Sequence, residues 1–285
     1  MDAQLVWDTW RRILTDDQLI ERVLHAEDSG DFDSTGKTAG EIAIMADYAS
    51  TPLATETNIG MYRRALVRNA LGALHLVPLT RHLLYMTGLD VESVAADFAK
   101  SNGYVDNGPN FWRIAEGFVE YLGGLSEFDV DLWQDVLVLD AAMISLAQRL
   151  GESAPDVWPE SAASAFHGDV LHNHVTRFVA SNAAVVASSG YDLTEWIANP
   201  EGFDIDERLE PASKYWLIYF PTADVGPAYA ELSELDARAF NFLSAPMSRS
   251  ELSLVLDGVF DVEIFKVMDS LAKIGVVVRA EDAGS

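Results

Sequence analysis

One continuous stretch near the C-terminus, residues 214–279, most constrains the fold. It begins with KYWLIYF and YAEL, aromatic and β-branched runs that predict two strands, the first of which alternates as a half-buried strand does. Three helical segments follow: Ser233 and Ser248 are placed to cap the first two, and Gly275 ends the third. The run VVVR predicts a closing strand. Strands, three short helices and a closing strand together predict a winged helix-turn-helix.

The preceding two-thirds of the chain predicts helices. Apolar spacing, capping residues and terminal glycines indicate six or seven helices with short connections, so residues 1–155 are expected to form a helical bundle. Two prolines in GESAPDVWPE mark a linker, and residues 156–211 form a connecting segment in which FHGDVLHNHVTRF is compatible with a strand. The expected fold class is α+β, mostly helical, with a C-terminal winged-helix domain over residues 212–285.

The charge of the chain restricts its partners. Its 285 residues include 45 acidic and 19 basic side chains, a net charge of −26. Such a surface repels nucleic acids and anionic membranes and favours a basic peptide or protein. The chain has no cysteine, no apolar run long enough to span a membrane and no signal-peptide pattern at its start, so a cytoplasmic location is expected.

The winged-helix domain is itself acidic, with eleven acidic and six basic residues. Its third helix carries Lys266 and Lys273 against Asp261, Glu263 and Asp269. DNA recognition requires a basic helix and cations that contact phosphates. A DNA-binding transcriptional regulator is therefore the alternative, and peptide capture is the leading hypothesis.

Peptide capture requires an exposed strand edge beside a helix groove. The aromatic, apolar and basic side chains expected to line such a site are Tyr219, Tyr229, Phe265, Met268 and Lys266. Core packing explains the aromatic and apolar members of this set equally well.

Catalytic and metal-binding patterns are sparse. The sequence lacks GxSxG, GxxxxGK[ST], GxGxxG and HExxH, so no catalytic residue or cofactor is predicted for this chain. On a strand, His172 and His174 would share a face, near His167 and Asp169, which leaves a metal site open as a third hypothesis. A polar strand edge is the favoured interpretation of these histidines.

A basic cluster interrupts the acidic N-terminal part. It consists of Tyr62, Arg63, Arg64, Arg68 and Asn69. Arg64 and Arg68 are four residues apart and share a helix face, and guanidinium groups suit bidentate carboxylate contacts. Ion pairs within the chain are the favoured interpretation of this cluster. The more specific hypothesis is that it docks to an acidic surface on a partner or on the rest of the chain.

Scattered residues between positions 58 and 279 carry a family resemblance. They are Tyr62-Arg63, Asn69, Val77-Pro78, Thr87-Gly88, Phe98, FVEYL at Phe118–Leu122, Asp140, and YDLTEWIANP at Tyr191–Pro200 followed by YWLIYFP. With the acidic winged helix, this pattern resembles the partner proteins of multinuclear non-haem iron oxidative enzymes in ribosomal-peptide biosynthesis. It is more similar to the 3-thiaglutamate pathway partner than to the methanobactin one. Arg64 and Asp140 depart from the Asn and Glu common in relatives.

The resemblance implies a division of labour. The iron belongs to a separate barrel enzyme, with which this chain would form a heterodimer, and the C-terminal domain would bind the leader of a precursor peptide. The reaction implied for the complex is oxidative removal of the β-carbon of a peptidyl cysteine. This chain would support that reaction without catalysing it.

Overall fold

The computed structural model describes residues 2–26, 32, 36–108, 110–152, 171, 176–203, 209, 211–222 and 225–280. The chain divides into two units, one of residues 1–76 and 87–121 and the other of residues 77–86 and 122–285. The expected α+β, mostly helical fold class is confirmed. Among the described helices, none is both long and apolar enough to cross a membrane.

Twelve α-helices and six strands occur in the described residues. The helices are α1 (Ala3–Thr15), α2 (Asp17–His25), α3 (Ala39–Ala49), α4 (Glu56–Ala73), α5 (Pro78–Met86), α6 (Val91–Ser101), α7 (Phe111–Gly123), α8 (Asp131–Glu152), α9 (Thr194–Ala198), α10 (Glu234–Phe242), α11 (Arg249–Val255) and α12 (Asp261–Ile274). The strands are β1 (Arg177–Ala180), β2 (Ala184–Tyr191), β3 (Pro211–Tyr219), β4 (Ala228–Leu232), β5 (Met247–Ser248) and β6 (Val277–Arg279).

Local capping explains where the first unit's helices begin. Asp16 lies between α1 and α2, and its carboxylate accepts hydrogen bonds from the N–H groups of Gln18 and Leu19. Thr38 and Glu41 form the predicted capping box of α3. Satisfying these otherwise unpaired N–H groups stabilises a helix start by about 1 kcal/mol. The apolar faces of α1 to α4 meet in a core that also includes Ala99 of α6.

Two antiparallel three-stranded sheets lie in the second unit, with strand orders β5-β1-β6 and β2-β3-β4. The predicted strands β3, β4 and β6 are present, and Gly275 ends α12 with a positive φ of 86° as expected. The closing strand β6 pairs with β1, a strand from the range predicted to connect the two domains. This partner lies about a hundred residues earlier in the chain.

The β2-β3-β4 sheet has helices on both faces. Tyr215, Leu217 and Tyr219 of β3 face the core formed with α10, α11 and α12. The alternating residues Trp216 and Ile218 face the opposite side, where α8 packs against β2 and β3. Burial on both faces explains why the KYWLIYF strand is almost continuously apolar.

Candidate functional site

The two edges of the β2-β3-β4 sheet differ in what covers them. Along β2, Arg149 of α8 donates from Nη2 to the carbonyl oxygen of Ala184 at 3.1 Å. Further along, the N–H of Gly190 donates to Oδ2 of Asp135 at 2.7 Å. Side chains of α8 therefore occupy outward-facing backbone groups of β2, which leaves β4 as the edge to consider for a ligand.

The hydrogen-bond alternation of β3 shows which way the backbone of β4 points. The N–H of Phe220 donates to the carbonyl oxygen of Ala183 at 3.0 Å, on the β2 side. In an antiparallel ladder the backbone direction alternates along a strand, so Leu217 and its odd-numbered neighbours direct their backbone groups toward β4. Leu217 is registered with Ala230, whose N–H and C=O therefore point inward to β3.

The intervening residues of β4, Tyr229 and Glu231, direct their N–H and C=O groups away from the sheet. Within the part of the chain that the structure describes, β4 pairs with β3 alone and these outward groups have no hydrogen-bond partner. Two donors and two acceptors at strand spacing match what an added antiparallel or parallel strand requires. The β4 edge can thus accept a short extended peptide.

Charged side chains flank this edge. Lys214 of β3 contacts Glu231 at 2.6 Å and Asp192 at 3.3 Å. The hydrogen bond to Glu231, followed by that to Asp192, raises the pKa of Lys214 above its usual value. The two carboxylates outnumber the one lysine, so this end of the edge favours a basic residue on an incoming peptide.

The sequence predicted that the side chain of Tyr229 contacts a bound peptide, but this side chain points into the protein. It shares a sheet face with its cross-strand neighbour Ile218, and its hydroxyl is buried. Burial, followed by the charge of Asp140 on α8, raises the pKa of Tyr229 above its ordinary value. Tyr229 therefore supplies backbone groups to the edge, while its ring lies on the face of the sheet that carries α8.

The other residues predicted to contact a peptide are not brought together. Tyr219 lies on the face of the sheet opposite to Tyr229 and packs against the helix core. Phe265 is half-buried beneath the Arg249 guanidinium, 5.6 Å from the ring centroid. Met268 is 0% exposed and belongs to the core. Lys266 is exposed on α12.

The basic cluster on α4 divides into an inward and an outward set. Arg63 donates from Nε to the carbonyl oxygen of Leu14 at 2.8 Å and pairs with Asp17 at 2.9 Å. Tyr62 donates to Asp106 at 3.1 Å, and burial, followed by that hydrogen bond, raises the pKa of Tyr62 to about 12. These two residues join α4 to other segments of the first unit.

Arg64 and Arg68 form the outward set. Both side chains are exposed, and in the described part of the chain neither pairs with a carboxylate. Asn69 is half-buried and lines a small cavity with Leu66 and Phe98. The two arginines and Met61, which is 50% exposed, form a stripe at helical spacing that can meet an acidic surface.

His167, Asp169, His172 and His174 lie outside the described residues. Among the described residues, no three His, Asp or Glu side chains are placed to share a metal ion.

The sequence analysis did not predict strand β2 or the α8 side chains that occupy its outer edge. The run AVVASSGY carries two adjacent valines and is followed by serines and a glycine, a pattern that favours a strand. The contacts of Asp135 and Arg149 with β2 join residues far apart in the chain, and no local pattern indicates them.

No protein-family model matches the chain, and no curated protein matches it either.

Proposed function

We propose that this chain is a non-catalytic partner subunit that binds the leader of a ribosomally made precursor peptide and presents it to a multinuclear non-haem iron enzyme. The supported reaction is oxidative modification of a peptidyl cysteine by excision of its β-carbon. The observation that carries the proposal is the open β4 edge, whose outward groups lie at Tyr229 and Glu231.

The surroundings of β4 support a peptide ligand. The order α10, β5, α11, α12 and β6, with β1 as the third strand, resembles a winged helix. The β2-β3-β4 sheet precedes these helices and packs on them. A rigid sheet edge beside a helical layer positions an extended chain by main-chain pairing and leaves its side chains to determine specificity.

The acidic character of the chain supports the same proposal over DNA binding. Helix α12 has two lysines that could contact DNA phosphates, Lys266 and Lys273. The ion pair of Lys273 with Asp269 at 2.6 Å neutralises one of these two charges. The chain's net charge of −26 repels a polyanion at long range.

Docking of the iron enzyme is assigned to the first unit. The outward stripe of Met61, Arg64 and Arg68 combines an apolar side chain with two cations. An acidic surface on the barrel enzyme would complement it through bidentate carboxylate contacts. The iron itself belongs to that enzyme, since the family resemblance places it on the separate chain.

The decisive experiment compares two substitutions at one edge position. Glu231→Pro removes an outward N–H, whereas Glu231→Ala retains that N–H and removes the side chain. Binding is measured by fluorescence anisotropy with a labelled precursor-peptide leader. We expect Glu231→Pro to bind at least about fivefold more weakly than Glu231→Ala, the effect of about one main-chain hydrogen bond.

Equal affinities of the two variants, with unchanged circular dichroism, would contradict strand addition at β4. A salt-sensitive, sequence-selective mobility shift with duplex DNA would instead favour the transcriptional regulator.

A further inference from the structure

Four large apolar side chains are exposed where α11 meets α12. Leu254 is 80% exposed, Phe260 77%, Val262 65% and Val255 39%. We define these four as the α11–α12 apolar surface. The core-facing residues of the same helices, among them Leu252 and Ile264, are 0% exposed. Other residues of α11 and α12 therefore form the core of the domain, and packing within the chain does not explain why these four exposed side chains are apolar.

Phe260 occupies a position where an apolar residue is unfavourable. It is the N-cap of α12, and its side chain makes no capping hydrogen bond. The other two helices of the module begin with Ser233 and Ser248, each in a complete capping box. Of the two hydrogen bonds in a capping box, Phe260 keeps only the one in which its backbone N–H donates to the Glu263 carboxylate, at 3.2 Å. The chain thus gives up a stabilising cap and exposes an aromatic ring, a break of local rules typical of a functional position.

Acidic groups outnumber basic groups around this surface. From residue 249 to residue 266 the sequence has four carboxylates, Glu251, Asp257, Asp261 and Glu263, and two cations, Arg249 and Lys266. Asp261 is paired with Arg249 and Glu251 with Arg177, which leaves the exposed Asp257 and Glu263 beside the exposed Lys266. An apolar centre with a negative rim complements an apolar ligand that carries cations at its margin.

We propose that the α11–α12 apolar surface docks a basic amphipathic helix of a partner protein. Apolar residues at helical spacing would cover Leu254 and Phe260, and flanking lysines or arginines would meet the carboxylates. A second copy of this chain would bring the same acidic rim to the contact, which like charges oppose. This site lies on α11 and α12 and does not depend on peptide binding at β4.

The test uses a fluorescein-labelled amphipathic helix of alternating leucine and lysine clusters as the probe. A leucine–glutamate peptide of the same pattern is the charge control. Because the net charge of −26 attracts any basic peptide, affinities are compared among variants in 0.3 M salt. The variants are Leu254→Ser, Phe260→Ser and, as a matched control, Leu53→Ser, which replaces a leucine that is 62% exposed on the other unit.

We expect Leu254→Ser and Phe260→Ser each to weaken binding of the leucine–lysine peptide about tenfold, because central aromatic and aliphatic anchors dominate such contacts. Leu53→Ser should bind like the unchanged protein. Phe260→Ser should also retain or raise the melting temperature, since serine can cap α12; loss of binding with retained stability separates docking from folding.

Three results would overturn the proposal. The first is equal affinity of all three variants, and the second is binding of the leucine–glutamate peptide as tightly as the basic one. The third is a dimer in sedimentation velocity that Phe260→Ser converts to a monomer, which would identify a second copy as the occupant.

Discussion

The carboxylate of Asp140 in α8 accepts a hydrogen bond of 2.7 Å from the backbone N–H of Thr80, the third residue of α5. Val77, just before α5, has no side-chain acceptor, so a residue sixty positions away caps this helix. The positive end of the helix dipole favours the ionised carboxylate. Asp140 is 0% exposed, however, and this burial outweighs the hydrogen bonds and raises the pKa of Asp140 to about 7.

The first prediction concerns pH. Because the folded-state pKa of Asp140 lies above the unfolded value of 3.8, the folded protein binds the extra proton between pH 4 and 7. Asp140 therefore makes stability fall as pH rises through this window, by up to about 4 kcal/mol. Asp140→Asn should remove this contribution and be more stable than the unchanged protein at pH 7.5, and no more stable at pH 4.

Urea denaturation at several pH values measures this difference. Asp97→Asn, which makes the same change of charge at an exposed position of α6, serves as the charge control. A variant Asp140→Asn that is less stable than the unchanged protein at pH 7.5 would show that the capping charge outweighs its burial.

The second prediction separates the arginines of α4. Arg63→Ala should lower the free energy of unfolding by about 2 kcal/mol, because the buried carbonyl of Leu14 loses its donor. Arg64→Glu with Arg68→Glu should change that free energy by no more than about 0.5 kcal/mol, as both side chains are exposed.

Docking to a partner should depend on Arg64 and Arg68, although the stability of the fold does not. The Arg64→Glu, Arg68→Glu variant is expected to lose co-purification with the proposed barrel iron enzyme, and Arg64→Lys with Arg68→Lys should lose less. Retained co-purification of the glutamate variant would exclude this stripe as the docking surface.

The third prediction concerns the register of β4. The N–H of Ala230 points to β3, so Ala230→Pro should remove a ladder hydrogen bond and lower stability by about 2 kcal/mol. Glu231→Pro removes an N–H that points away from the sheet and should cost about 1 kcal/mol or less. Thermal unfolding followed by circular dichroism compares the two, and the reverse order would show that the outward residues are the even-numbered ones.

The fourth prediction concerns helix caps. Ser233→Ala should lower stability by about 1 kcal/mol, because the Asp236 N–H loses its acceptor. Ser270→Ala, the same substitution at an exposed interior position of α12, should raise stability by about 0.5 kcal/mol. Urea unfolding measures both; equal effects of the two substitutions would argue against a cap at Ser233.

Short-range signals in the sequence predicted much of the secondary structure. Thr38 with Glu41, Ser233 and Ser248 mark helix starts because a cap acts within three residues of its own position. The aromatic and β-branched composition of KYWLIYF likewise predicted β3, but its alternation indicated a half-buried strand, whereas β3 is buried on both faces. The net charge and the absence of cysteine follow from the residues alone.

Tertiary structure decided the features on which the candidate site depends. Whether β2 or β4 is the open edge depends on Asp135 and Arg149, which reach β2 from α8. Whether Arg63 or Arg64 faces solvent depends on how α4 is rotated against α1. The burial of Asp140 depends on the packing of α8 against α5, which places Asp140 beside Thr80, sixty positions earlier in the chain. Such contacts depend on register and packing between distant segments, which the local preferences of a sequence do not specify.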